Sequence, residues 1–214
     1  MNTTLLAIAC LGSLSLTLLG IYKDWLWLRA PTKTLASLLF IAHGWAAGAW
    51  SQGPAGQAVM VALVLGALGD VLLISRDRRA FLAGLVAFLS AHVAYVVAFA
   101  LLGMSVNGTV VVLPILALAW VIWRWIGTKA GKMAKPVAAY IAVISLMVVA
   151  AFAALAADPT AGRAILVLGA VMFFVSDICV ARDRFVQQGF VNRVIGLPLY
   201  YSAQLVFGAA IAMV

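Results

Sequence analysis

Six of the 214 residues are acidic, all six are Asp, and two of them stand inside long apolar runs. Asp70 lies in Leu65-Gly66-Ala67-Leu68-Gly69-Asp70-Val71-Leu72-Leu73-Ile74, and Asp177 in Leu168-Gly169-Ala170-Val171-Met172-Phe173-Phe174-Val175-Ser176-Asp177-Ile178. A charge in an apolar segment is expensive and marks function. Each run ends in a basic break, Arg76-Asp77-Arg78-Arg79 after the first and Arg182-Asp183-Arg184 after the second. On a helix each carboxylate then sits roughly 8–9 Å from those arginines, so both reach one depth. Two nearby carboxylates in a poor dielectric do not both ionise readily and titrate as a coupled pair. Such a pair offers a proton donor and an ionised base at neutral pH, which suits hydrolysis of an ether-type bond. It suits a proton-coupled carrier equally well. The bland alternative is a carboxylate that snorkels to a loop arginine or glues helices together. That reading has to explain why two helices deliver the same group to the same depth.

Other polar residues form a shell at compatible depth. His92 and Tyr95 are three apart and share a helix face, as do Tyr200 and Gln204, with Tyr201 beside them. Tyr140 follows Lys135-Pro136 by four residues, where belt decoration at the interface is the competing role. His92 and Gln204 fall nearer the midplane, where an unpaired polar group is costly, so they line a wet cavity or bond a neighbouring helix. His43, beside Gly44 and Trp45, reads as a hydrogen-bonded core histidine. Asp24, Asp77, Asp158 and Asp183 read as solvated loop charges.

The elements that must hold these groups are membrane spans. Apolar residues make up 66% of the chain, charged residues only 9%. A water-soluble domain has nowhere to bury so much apolar surface, so the class is an all-α, polytopic membrane protein. With no long polar stretch, residues 1–214 form a single integral-membrane helical domain. Eight segments of spanning length are expected near 4–22, 33–50, 56–75, 80–102, 109–126, 136–156, 161–181 and 193–213. Thirteen of the fourteen Lys and Arg residues fall in odd-numbered breaks, and the exception is Arg163. That asymmetry puts the basic loops in the cytoplasm and both termini on the non-cytoplasmic face. The net charge of +8 is thereby absorbed by topology, and no nucleic-acid partner is implied. Cys10 and Cys179 fall toward opposite faces, too far apart to pair.

The halves read as a weak parallel four-plus-four repeat. Arg76-Asp77-Arg78 recurs as Arg182-Asp183-Arg184, Ser90-Ala91-His92 as Ser202-Ala203-Gln204, Gly84 as Gly196, and Lys33 as Lys135. Repeated halves often share a site at their interface. The chain has no Glu, no G-x-S-x-G elbow and no C-x-x-C, which removes HExxH proteases, serine hydrolases of that type and thiol redox motifs.

Several motifs, taken together, resemble the YhhN-like lysoplasmalogenases, polytopic membrane hydrolases. They are Leu68-Gly69-Asp70, Phe81-Leu82-Ala83-Gly84-Leu85-Val86-Ala87-Phe88, Ala91-His92-Val93-Ala94-Tyr95, Lys135-Pro136-Val137-Ala138-Ala139-Tyr140, Ser176-Asp177 and Tyr200-Tyr201-Ser202-Ala203-Gln204. The chain departs from the family at Ala30-Pro31-Thr32-Lys33, where a Lys-Pro pair is more usual. The resemblance implies an eight-helix enzyme that hydrolyses the vinyl ether of lysoplasmalogens to a fatty aldehyde and a glycerophospho-alcohol, without metal or nucleotide. Asp70 and Asp177 would then be the catalytic pair, in either order. Tyr95, Tyr140, Tyr200, Tyr201, His92 and Gln204 would hold water and the ether oxygen. Lys33 and Lys135 would meet the phosphate of the lysophospholipid, among membrane lipids, in a bacterial inner membrane. Two rival readings remain at this stage. One is a small proton-coupled transporter, disfavoured because Pro114 is the only mid-helix proline expected. The other is a metal hydrolase built from His43, His92, Asp70 and Asp177. Another enol ether, a lysolipid or an epoxide is an equally open substrate.

Overall fold

Hydrocarbon offers a backbone no water to bond, so a spanning segment must satisfy its amides internally. The computed structural model describes residues 2–75 and 77–214. Within them the chain forms eight α-helices: α1 Thr3–Tyr22, α2 Leu26–Ala46, α3 Gly53–Leu72, α4 Arg78–Leu101, α5 Val112–Ile126, α6 Ala134–Ala157, α7 Ala161–Phe185 and α8 Phe190–Ala210. Seven are long and apolar enough to cross a membrane, with α5 counted together with its flanking short turns as Val106–Lys129. The exception, α2, is long enough at about 31 Å but carries Arg29, Thr32, Lys33, Thr34 and Ser37. Its polar residues turn out to belong to the site. Arg76, one of the basic residues of the third break, lies outside the described residues.

Helix starts follow side-chain capping. Asn2 accepts from the amides of Thr4 and Leu5, Asp77 from those of Arg79 and Ala80, and Thr160 from that of Arg163. Asp77 is therefore a helix cap as well as a loop charge. The expected start of the second span at residue 33 is seven residues late. The chain turns instead at Asp24, whose φ is 53°, and α2 runs through Pro31. Proline fixes φ near the helical value, so it costs this helix one hydrogen bond without ending it. Pro198 sits inside α8 in the same way, whereas Pro114 falls in the first turn of α5. The expectation that only Pro114 interrupts a helix is thus reversed, but α2 and α8 both remain continuous.

The tightest pairings are the hairpins α1–α2, α3–α4 and α7–α8, with α2 and α8 crossing at the centre and α5 packed at the periphery against α6. At the α2–α8 crossing Gly44 meets Gly208, where an added Cβ on Gly208 would stand 2.8 Å from the Gly44 Cα. Small residues allow that approach, as in other membrane helix pairs. The core is aromatic around it: Phe40, Tyr95, Phe99, Phe173, Tyr201 and Phe207 are fully buried. Large apolar side chains such as Leu5, Ile8, Val86, Leu113 and Leu116 are exposed, as a lipid-facing surface requires.

Arg163, the basic residue that stands apart from the others, is a clamp at the end opposite the basic breaks. It is buried, and its guanidinium donates to the carbonyls of Ala154 (2.7 Å) and Leu102 (2.9 Å), the last turns of α6 and α4. A cation there also complements both helix dipoles. Arg163→Met keeps the side chain's bulk but strands two carbonyls. We expect a loss of about 3 kcal/mol, charged hydrogen bonds being worth about 1.5–3 kcal/mol each. It would be read as a lower thermal unfolding midpoint in detergent, and an unchanged midpoint would contradict the clamp.

Candidate active site

Asp70 occupies the last turn of α3, where the final carbonyls of a helix lack intrahelical partners. Lys33 of α2 answers both needs at once: its Nζ lies 2.8 Å from Asp70 Oδ1 and donates to the Asp70 carbonyl at 2.9 Å. Ser37, one turn further along α2, donates to Asp70 Oδ2 at 2.8 Å. The Tyr201 hydroxyl stands 3.2 Å from Ser37 Oγ and 3.3 Å from the Lys33 carbonyl, holding that turn of α2. On the other flank Tyr95 donates to Gln204 Oε1 (2.5 Å), and Gln204 Nε2 donates to the Tyr200 hydroxyl (3.1 Å). The Tyr200 proton is left for Asp70, which its hydroxyl faces. Gly66 makes room for this relay, because a Cβ there would overlap the Gln204 amide.

Asp177 is held differently. Tyr140 of α6 donates to its Oδ2 at 3.0 Å, and His92 Nε2 of α4 lies 3.2 Å from the same oxygen. His92 is completely buried, with Nδ1 2.6 Å from the Phe88 carbonyl. A carbonyl only accepts, so Nδ1 carries hydrogen, and Nε2 is left to share one proton with Asp177. The contact is off the line of a good hydrogen bond, so the Nε2 has no aligned partner. Phe173 packs edge-on against the His92 ring at 4.5 Å and fixes its plane.

The two aspartates line one cavity of about 120 Å³, closed mostly by apolar residues of α4, α6 and α7 such as Leu85, Phe88, Ile141, Ile144 and Phe174. That is near the size, about 150 Å³, that admits a benzene-sized group in an engineered apolar core. Each aspartate draws its donors from outside its own hairpin: Asp70 on α3 from α2 and α8, Asp177 on α7 from α4 and α6. At the basic end the cavity opens into a polar vestibule of about 800 Å³, and Lys33, Phe81, Arg184 and Arg193 line both spaces.

Of the residues expected from sequence, Asp70, Asp177, Lys33, Tyr140 and Tyr200 line the cavity. His92, Tyr95, Tyr201 and Gln204 stand behind it, each bonded as above. Lys33 is not a rim lysine; it is 8% exposed and committed to Asp70. Lys135 is exposed at the start of α6 and lines neither space. Asp183 is not solvated: it is buried and accepts from the Gly189 amide (3.1 Å), Asn192 Nδ2 (3.2 Å) and Arg193 Nη2 (2.5 Å), fixing the α7–α8 turn. Ser37, Arg184 and Arg193 were missed. Ser37 had a signal, its i, i+4 spacing from Lys33; the two arginines read only as topology charges.

The four-ligand metal set is not assembled. His43 Nδ1 bonds the Thr3 carbonyl (3.1 Å) at the opposite end of the bundle. Among the described residues no three His, Cys, Asp or Glu side chains converge. Cys10 and Cys179 are both free, and Cys10 Sγ donates to the Ala36 carbonyl.

Comparison with known proteins places this arrangement. Residues 28–211 match the model of the YhhN family. The chain is 30% identical over 188 residues to a protein named lysoplasmalogenase TMEM86A from Bos taurus, covering 84% of this chain and 76% of the relative. It is 28% identical over 171 residues to lysoplasmalogenase TMEM86A from Homo sapiens, covering 78% and 70%. No solved structure matches the chain. A family match from α2 to the end of α8, spanning every residue that touches either aspartate, leaves one conclusion: this chain belongs to the YhhN family.

Proposed function

We propose that the protein is an integral-membrane hydrolase that cleaves the vinyl ether of a lysoplasmalogen, releasing a fatty aldehyde and a glycerophospho-alcohol. The names of its relatives point to the substrate. The observation that carries the mechanism is the unequal setting of two aspartates on one cavity. Asp70 faces an ammonium and hydroxyl donors, the surroundings of a carboxylate that stays ionised. Asp177 shares a proton with His92 across a contact that offers room for it.

The acid is therefore the Asp177–His92 pair, and the base is Asp70. The pair gives its proton to the vinyl β-carbon, and the positive charge that develops at the α-carbon and ether oxygen is stabilised by the Asp70 carboxylate. Water adds to the α-carbon and passes a proton to Asp70. The hemiacetal then collapses: its hydroxyl proton returns to the Asp177–His92 pair while Asp70 protonates the departing glycerol oxygen. Both groups end as they began, and no proton is gained or lost. Tyr140 and Tyr200 reach the cavity with hydroxyls able to orient the water and ether oxygen.

In this reading the basic end faces the cytoplasm and the termini face away. The lysolipid's chain then lies among the apolar residues of α5, α6 and α7. The exchange of donors between hairpins supports two related four-helix halves. The test is hydrolysis of purified lysoplasmalogen in D2O with the aldehyde trapped as it forms. One deuterium is expected at the carbon beside the carbonyl, delivered by the enzyme's exchangeable acid. Aldehyde without that deuterium would rule out protonation at carbon. Absence of any aldehyde, with proton-driven uptake into proteoliposomes, would assign the site to transport.

A further inference from the structure

The vestibule has a charge balance that the proposed reaction does not use. Its walls carry Arg29, Lys33, Arg184 and Arg193 against Asp24 and Asp183, and Lys33 also serves Asp70. Four cations thus meet three carboxylates, leaving one positive charge in excess. Lys33 is committed to Asp70 and Arg193 to Asp183, and Arg29 donates to the Ile74 carbonyl at 3.1 Å. Arg184 makes no ion pair among the described residues. Its guanidinium lies over the Phe81 ring, 4.2 Å from the centroid. Stacking of this kind holds the plane of an arginine and leaves its N–H edge for a forked anion.

We infer that the vestibule is a phosphodiester subsite and that Arg184 is its principal anion ligand. The inference rests on the proposed lysolipid substrate and locates its headgroup. A lysophospholipid has only the glycerol backbone between its ether oxygen and its phosphorus. With the ether beside Asp70 and Asp177, the phosphate must stand at the neck of the cavity and not at the outer rim. Arg184 lines both the cavity and the vestibule; Lys135 lines neither. One surplus positive charge matches the single negative charge of a phosphodiester, as in a choline or ethanolamine lysolipid, and not the dianion of a phosphomonoester. Arg forks onto phosphate oxygens with two parallel bonds, which a lysine does not reproduce.

The test uses a ligand that cannot be cleaved, a saturated 1-O-alkyl-glycerophosphocholine, titrated onto the full-length protein in detergent by its tryptophan fluorescence. Three forms are compared: wild type, Arg184→Gln and Arg184→Lys. We expect Arg184→Gln to weaken binding at least tenfold and Arg184→Lys to fall between. Binding of 1-O-alkylglycerol, which lacks the phosphate, should be the same in all three and shows that the variants fold. Inorganic phosphate should not displace the ether lysolipid at equal concentration. Equal affinities in all forms would overturn the proposal, as would a parallel loss for alkylglycerol. Displacement by inorganic phosphate as effective as by the lipid would make this a free-phosphate site instead. Arg184-dependent binding without any aldehyde release from lysoplasmalogen would leave the subsite standing and remove the hydrolase reading alone.

Discussion

Asp177→Asn is expected to release aldehyde about a thousandfold more slowly than wild type, within the 10²–10⁴ range of a lost general acid, with KM little changed. The substitution is close to a pure deletion of the proton. His92 Nδ1 is pinned to the Phe88 carbonyl, so its Nε2 is free to accept from an amide N–H. The side-chain oxygen of the asparagine still accepts from Tyr140. Packing and hydrogen bonds therefore survive, and the variant should unfold at the wild-type temperature. His92→Gln, which removes the other holder of the same proton, should give a similar loss. The double variant should be little worse than either single one, because the two residues act as one acid. Multiplicative losses, or Asp177→Asn activity within a few-fold of wild type, would show that the acid lies elsewhere.

The depth of these groups was legible in the sequence, whereas their direction around each helix was not. Asp70 and Asp177 stood out because a carboxylate in an apolar run has no cheap explanation, and the His92–Tyr95 and Tyr200–Gln204 spacings fixed shared faces. Linear distance along a helix places a residue on the membrane normal. It does not say which neighbour the residue meets. Lys33 shows the difference. Its place among the basic breaks predicted a rim role, but α2 begins before Pro31 and turns Lys33 inward onto α3. Arg184 and Lys135 carry the same charge at the same end, and packing alone puts one beside the cavity and the other outside it. Asp183 was misread for a related reason: its partners Gly189, Asn192 and Arg193 come together only when α7 and α8 close their turn. The central crossing at Gly44 and Gly208, which brings Tyr200 and Tyr201 to α2, depends on two small residues 164 positions apart.

Lys33→Met separates what the ion pair does for the fold from what it does for the reaction. The Asp70 side chain is only 3% exposed, and stranding one member of a buried pair costs about 3–5 kcal/mol. The single variant should lose stability of that order and most of its activity, since a cavity without the ammonium favours a neutral Asp70, which is no base. Asp70→Asn strands the ammonium instead and should be destabilised to a similar degree. In Lys33→Met/Asp70→Asn both charges are gone, Ser37 still has an oxygen to bond, and stability should return to within about 1 kcal/mol of wild type. Activity should not return, because no carboxylate remains to steady the cation or take the proton from water. Thermal unfolding and aldehyde release, measured on the same four proteins, give the two readouts. A double variant as unstable as the single ones would mean that the pair is not what holds α2 to α3. A stable and active double variant would show that Asp70 serves the fold alone, and the base would have to be sought among the other groups on the cavity wall.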